Sequence, residues 1–253
     1  MNTWMRTLRR TGLSFSISLA LLGTALAQSD LPAAQLNALK QKLAQRMPNL
    51  PAVETARTTG VAGLIELKAG DHIFYVDASG DYLIEGNLID TRSQRNLTEE
   101  RLDDINRVDF ETTFAPKDAI VWKNGNGKRR MVVFADPNCG YCKQLEREIQ
   151  KLKDVTVYTY MIGILGDDSR VKLNNIWCTR DRTQTWLDWM LTGSTPPKAM
   201  GMCGSPAQRN LSVAQKLRVN GTPAVFFEDG TRLPGAASAA TLEQRLSKAA
   251  SKG

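Results

Sequence analysis

Histidine and cysteine are scarce in this chain, with one and four respectively among 253 residues. Four cysteines are too few to hold together a chain that lacks a core. Long apolar runs are also missing. Beyond residue 27 nothing approaches the roughly 18 consecutive apolar residues of a membrane span, so the mature chain is expected to be soluble. No basic stripe is interleaved with aromatics, and Lys128-Arg129-Arg130 reads as a solvated hairpin turn, which argues against nucleic acid as a partner. There is no internal repeat and no low-complexity tract. With 42% hydrophobic and 23% charged residues, the chain is globular and not disordered.

The one apolar run lies at the start. Arg6, Arg9 and Arg10 precede Gly12–Ala25, and Ala25-Leu26-Ala27 is a small-x-small cleavage pattern. A secretory signal over residues 1–27, cut after Ala27, is expected; an uncleaved anchor is the alternative. Removal leaves 226 residues and lowers the net charge from +7 to +4. That charge is uneven. Residues 28–95 carry 7 basic and 8 acidic side chains, residues 96–115 carry 2 and 6, and residues 116–253 carry 21 and 12. A short acidic connector thus separates a nearly neutral N-terminal part from a basic C-terminal part holding all four cysteines.

In the first part, Asp30 and Pro32 suit a helix start, Leu36, Leu39, Leu43 and Met47 share a face, and Pro48 stops the helix. Strands are expected at Gly63–Lys68, His72–Val76 and Tyr82–Ile89, with a turn at Ala78-Ser79-Gly80. One helix on a small antiparallel sheet is marginal alone and often pairs with a copy of itself. His72 reads as a sheet-edge residue. A linker helix is expected near Thr98–Val108, its Glu99 and Glu100 suited to the positive end of the macrodipole.

The second part reads β-β-α-β, a helical region over much of 168–218, then β-β-α. Ala119–Trp122 and Met131–Ala135 are expected to form a hairpin across Asn124-Gly125-Asn126-Gly127. Trp186, Trp189 and Met190 read as core of the helical insertion. Asn96-Leu97-Thr98 and Asn210-Leu211-Ser212 fit the glycosylation triplet, a pattern that often arises by chance.

Chemistry concentrates at Cys139-Gly140-Tyr141-Cys142, directly after a strand and opening a helix. Free N–H groups and the macrodipole at a helix start stabilise an anion there. An exposed Cys139 thiolate could attack a disulfide, and Cys142, one turn inward, could resolve the mixed disulfide. Two readings compete. Zinc would need further ligands from Cys178, Cys203 and His72, and an inert bridge closing so small a loop would stabilise little. Cys178 and Cys203 read as a bridge bracing the insertion, with a second catalytic pair as the alternative. Gly221-Thr222-Pro223 before a strand needs a reason, because proline removes a ladder donor. Beside the cysteines, a cis proline leaving the Thr222 backbone free to pair with an extended chain is the better reading.

Phe134-Ala135-Asp136-Pro137-Asn138-Cys139-Gly140-Tyr141-Cys142 together with Gly221-Thr222-Pro223-Ala224-Val225 resembles the thioredoxin superfamily. Within it the chain resembles the dimeric periplasmic disulfide isomerases of the DsbC type, with the DsbG type a near relative. Gly-Tyr between the cysteines and threonine before the proline favour the former. The resemblance implies an α+β N-terminal dimerisation domain (28–95), a linker helix (96–115) and an α/β thioredoxin-like catalytic domain with a helical insertion (116–253). By the same resemblance Cys139 is the nucleophile, Cys142 the resolving thiol, Gly140 and Tyr141 the motif dipeptide, Thr222 and cis-Pro223 the substrate-side loop, and Cys178–Cys203 a structural bridge. It further implies a homodimer holding misoxidised or unfolded protein clients in a cleft, chaperone activity, a membrane thiol reductase of the DsbD type as electron source, and neither metal nor organic cofactor. One position departs from ordinary thioredoxins. Val133 replaces the buried acid six residues before the first cysteine, leaving water or Glu146 as candidate proton acceptors for Cys142. A client-specific reductase of the DsbG type and a holdase with secondary redox activity are the alternatives to an isomerase.

Overall fold

Leucines at helical spacing form α1 (Ala33–Arg46), which buries Leu39 and Leu43. Met47 lies just past the helix end and is 40% exposed, so the buried face is one position shorter than the sequence suggests. The computed structural model describes Met1 and residues 28–70, 72–201 and 203–251. The expected signal segment, with Arg6, Arg9, Arg10 and the cut after Ala27, lies outside the described residues. The chain divides into two units after Gly86.

In the first unit, β1 (Val53–Thr58), β2 (Leu64–Ala69), β3 (His72–Asp77) and β4 (Leu83–Glu85) form an antiparallel sheet in that order. Leu39 and Leu43 pack with Ala56, Leu67, Phe74 and Val76 in one core. Strand β1 had no clear signal, because Ala56 is its single buried side chain. The expected Tyr82–Ile89 strand is cut to three residues, after which Gly86 ends the unit. His72 is exposed at the start of β3.

The second unit begins with the short pair β5 (Ile89–Asp90) and β6 (Arg95–Asn96) and with α2 (Leu97–Ile105). Asn96 caps α2 by accepting from the Glu99 N–H. A second, short helix, α3 (Phe110–Thr113), follows, and Phe110 and Phe114 are both buried. Residues 87–115, set apart by their charge, therefore sit in the second unit.

Its five-stranded sheet contains β7 (Ile120–Asn124), β8 (Arg129–Ala135), β9 (Val155–Met161), β10 (Ala224–Phe227) and β11 (Arg232–Pro234), ordered β11-β10-β8-β9-β7. Helix α4 (Gly140–Ile149) makes the crossover that sets β9 parallel to β8. This corrects the expected β7–β8 hairpin. The Asn124–Gly127 turn does reverse the chain, but β9 enters between the two strands and pairs antiparallel with β7. Lys128-Arg129-Arg130 is likewise not a merely solvated turn: Arg129 pairs with Glu243, and Arg130 with Glu111 and Glu228.

One sheet face carries α4 and α8 (Ala239–Ala250); the other packs Val132, Phe134 and Phe226 against Phe110 and Phe114. Helices α5 (Asp167–Trp177), α6 (Arg182–Leu187), continued by a π-helical turn over Asp188–Thr192, and α7 (Ala207–Lys216) form the insertion. Trp186 and Met190 are core, whereas Trp189 is only partly buried. Asn210 of the glycosylation-like triplet is 1% exposed, its amide bonded to the Asp118 and Met161 carbonyls, so it is a core residue.

Candidate active site

Five successive buried residues, Met131–Ala135, carry β8 to the edge of the core, and the next residue is an aspartate. Asp136 is fully buried, and a buried carboxylate must be supplied with donors. Its Oδ2 accepts from the backbone N–H groups of Ile164 (2.8 Å) and Leu165 (2.9 Å). Its Oδ1 accepts from the Asn138 N–H (2.8 Å) and the Ser169 hydroxyl (2.7 Å). The Asp136 carbonyl then accepts from the Cys139 N–H at 3.1 Å. Asp136 thus ties the turn that presents Cys139 to the loop after β9 and to α5. Sequence reasoning quoted Asp136 without giving it a role; an acid directly after an unbroken buried strand was the available signal.

Cys139 is the N-cap of α4, in extended conformation. Its Sγ accepts the Cys142 N–H at 3.2 Å and faces the Thr222 carbonyl at 3.3 Å, to which the thiol donates. The Thr222–Pro223 bond is cis. The loop before β10 and the start of α4, some 80 residues apart in sequence, therefore meet at one sulfur. Both cysteines are free thiols. Cys139 is only 5% exposed, which corrects the expected open thiolate. The N-cap position, with Thr222 over it, leaves a small accessible face. Tyr141, by contrast, is 69% exposed.

Cys142 lies deeper, at 3% exposure. Burial above all, and next the Cys139 sulfur, pushes its thiol well above the ordinary range, while hydrogen bonds from the Asp136 backbone and the Thr222 side chain pull the other way. The two sulfurs are thus unequal: one at a helix start beside a donor, the other desolvated. Such a pair can attack a disulfide through Cys139 and is slow to ionise at Cys142.

The Disulfide bond isomerase protein N-terminal domain family matches residues 28–99, and the Thioredoxin-like domain family matches residues 116–250. A probable thiol:disulfide interchange protein DsbC of Bordetella pertussis is 40% identical over 216 residues, covering 85% of this chain and 75% of that protein. The chain belongs to the DsbC family of thiol:disulfide interchange proteins. The DsbC of Escherichia coli K12 is more distant, at 26% identity over 182 residues, 69% of this chain and 73% of that one. A crystal structure of a disulfide interchange protein from Neisseria gonorrhoeae is 36% identical and superposes with a TM-score of 0.51, covering 53% of this chain and 97% of that chain. The fold is accordingly that of DsbC: a helix on an antiparallel sheet, then a thioredoxin-like α/β domain.

Two further features distinguish this DsbC relative. Val133 sits within β8 and is buried. Glu146 lies one helical turn beyond Cys142 on α4 and is 5% exposed. Its two oxygens accept from the Trp186 indole (3.0 Å) and the Gln150 amide (2.9 Å), and no hydrogen bond joins it to Cys142. Burial raises this carboxyl above its usual range, with both hydrogen bonds opposing. Cys178 and Cys203 are bonded to each other, with Cα atoms 5.3 Å apart, and neither lies among the hydrogen-bonding partners of Cys139 or Cys142. Their sulfurs are thereby taken from the set a zinc site at Cys139 and Cys142 would draw on.

Proposed function

We propose that this thiol–disulfide interchange enzyme is an isomerase, with Cys139 as nucleophile and Cys142 as resolving thiol. The carrying observation is the asymmetry of the pair, an N-cap sulfur that accepts an N–H and a desolvated partner with its thiol pushed up. Cys139 thiolate attacks one sulfur of a wrong client disulfide. The Cys139–client bond forms, the client disulfide breaks, and its second sulfur departs as a thiolate that takes a proton. Another client thiolate can then attack the mixed disulfide, forming a new client disulfide and returning Cys139 with no net electron transfer. Otherwise Cys142, once deprotonated, attacks Cys139; the client leaves reduced by two electrons and Cys139–Cys142 is oxidised. Because Cys142 ionises reluctantly, the mixed disulfide lasts long enough for rearrangement. That kinetic argument favours isomerase over client-specific reductase.

The Thr222 carbonyl and the Pro223 turn would seat an extended client chain beside Cys139. The Cys178–Cys203 bridge would brace the insertion. Dimerisation would run through the first unit, where β4 is a sheet-edge strand with Tyr82 and Ile84 exposed at 77% and 54%. Residues 1–27 would direct export to the periplasm, where misoxidised clients and a membrane thiol reductase of the DsbD type are the partners.

The test is reactivation of scrambled, fully oxidised ribonuclease in a glutathione buffer, with Cys139→Ser as control. Cys139-dependent recovery is expected. No recovery, with the cysteines still reactive to small disulfides, would instead mark a client-specific reductase. Suppression of aggregation is expected to survive in Cys139→Ser; its loss would sink the idea of a chaperone activity separable from redox chemistry.

A further inference from the structure

Next to the two cysteines, α4 carries cations without counter-charges. Lys143 follows Cys142 directly, and Arg147 lies four residues on, along the same helix face. Neither is paired with a carboxylate among the described residues. The Lys143 ammonium sits 4.0 Å from the centre of the Trp189 ring, and the Lys172 ammonium, from α5, sits 4.8 Å from the same ring. Two like charges therefore share one indole. That indole is anchored to the cysteine loop, since its N–H donates to the Pro137 carbonyl at 2.6 Å. Lys172 is neutralised by Asp168, an exposed carboxylate that also accepts from Asn138. Lys143 has no such relief. Burial first, and then the charges of Lys172 and Arg147, lower its ammonium below the ordinary lysine value.

A partly desolvated ammonium in a field of like charge gains most from an anion. The position, two residues from the exposed Tyr141 and beside the loop that presents Cys139, lies where a client chain approaches. The catalytic part as a whole is basic, with 21 cations against 12 acids over residues 116–253.

We propose that Lys143, backed by Arg147 and Lys172, binds carboxylate side chains of the client beside the disulfide under attack, so that clients with Asp or Glu flanking a cysteine are preferred. This rests on the exchange activity described above and adds a substrate class to it.

The experiment uses the reduced full chain and three peptides, alike except for two Glu, two Gln or two Lys flanking a single cysteine held as a mixed disulfide with mercaptoethanol. Each rate constant is divided by that of the same peptide with dithiothreitol, which removes the effect of flanking charge on the leaving thiol. The normalised Glu-to-Lys ratio is expected to be about tenfold at roughly 20 mM salt, falling to about twofold near 0.5 M. Lys143→Gln with Arg147→Gln is expected to bring the low-salt ratio below about threefold, whereas Lys143→Arg with Arg147→Lys preserves it. Equal rates on the three peptides at low salt, or a ratio undiminished in the double Gln variant, would overturn the inference alone. No exchange with any peptide would overturn the activity, and the inference with it.

Discussion

Asp136→Ala is the sharpest test of how the cysteine loop is built. The carboxylate accepts four hydrogen bonds at 2.7–2.9 Å and is fully buried. Truncation orphans the N–H groups of Asn138, Ile164 and Leu165 and the Ser169 hydroxyl. Each donor left unmet in the interior costs about 1–3 kcal/mol. Ile164 and Leu165 are exposed residues whose loop can turn toward water, so the low end of the sum applies, about 4 kcal/mol. For a domain of this size that lowers the melting temperature by about 10 °C. Asp136→Asn separates geometry from charge. Its oxygen can serve Ile164 and Leu165 while Ser169 rotates to accept from the amide. The Asn138 N–H then faces another donor, and the cost falls to about 1–2 kcal/mol. Trp122, Trp177, Trp186 and Trp189 all lie in the second unit, whereas residues 28–86 contain no tryptophan, so fluorescence-detected urea unfolding reads that unit. An Asp136→Ala protein within about 1 kcal/mol of wild type would refute the reasoning.

Three further outcomes are expected. A fragment of residues 116–253 should be far less stable than one of residues 87–253, because it lacks Phe110 and Phe114 and leaves Arg245 without Asp103, its bidentate partner at 2.6 and 2.9 Å. The loss is about 5 kcal/mol or more, and coincident urea transitions for the two fragments would rule it out. Glu146→Gln should gain on wild type as pH rises. The folded carboxyl is raised above its ordinary 4.5, so the native state holds the extra proton, and wild-type stability falls as pH climbs through and beyond 4.5. Urea midpoints for the two proteins that run parallel from pH 4.5 to 7.5 would contradict this. Replacing Cys178 and Cys203 together by serine should cost about 3.5 kcal/mol by loop-closure entropy; an unchanged midpoint in calorimetry would show that the bridge does not brace the insertion.

The parts of this protein that were legible in the sequence are those whose signal is local. Cys139 and Cys142 announce themselves by spacing and by the strand before them, and the leucines of α1 by periodicity. The hairpin expectation failed for the same reason it was attractive. Asn124–Gly127 specifies a reversal of the chain, but which strand pairs with β8 is decided by the α4 crossover and by Val155–Met161, far along the chain. Charge drew a boundary at residue 115, where packing draws none: Phe110 and Phe114 belong to the aromatic core beneath Phe134 and Phe226, and Asp103 to the Arg245 ion pair. The polar residues that hold the site together follow the same logic. Asp136 and Glu146 acquire their meaning only from Ile164, Leu165, Ser169 and Trp186, none of them near in sequence. The identity of the attacking sulfur is thus a local matter, whereas its reach depends on Asp136 beneath the loop and Thr222 over the sulfur, contacts made only by the folded chain.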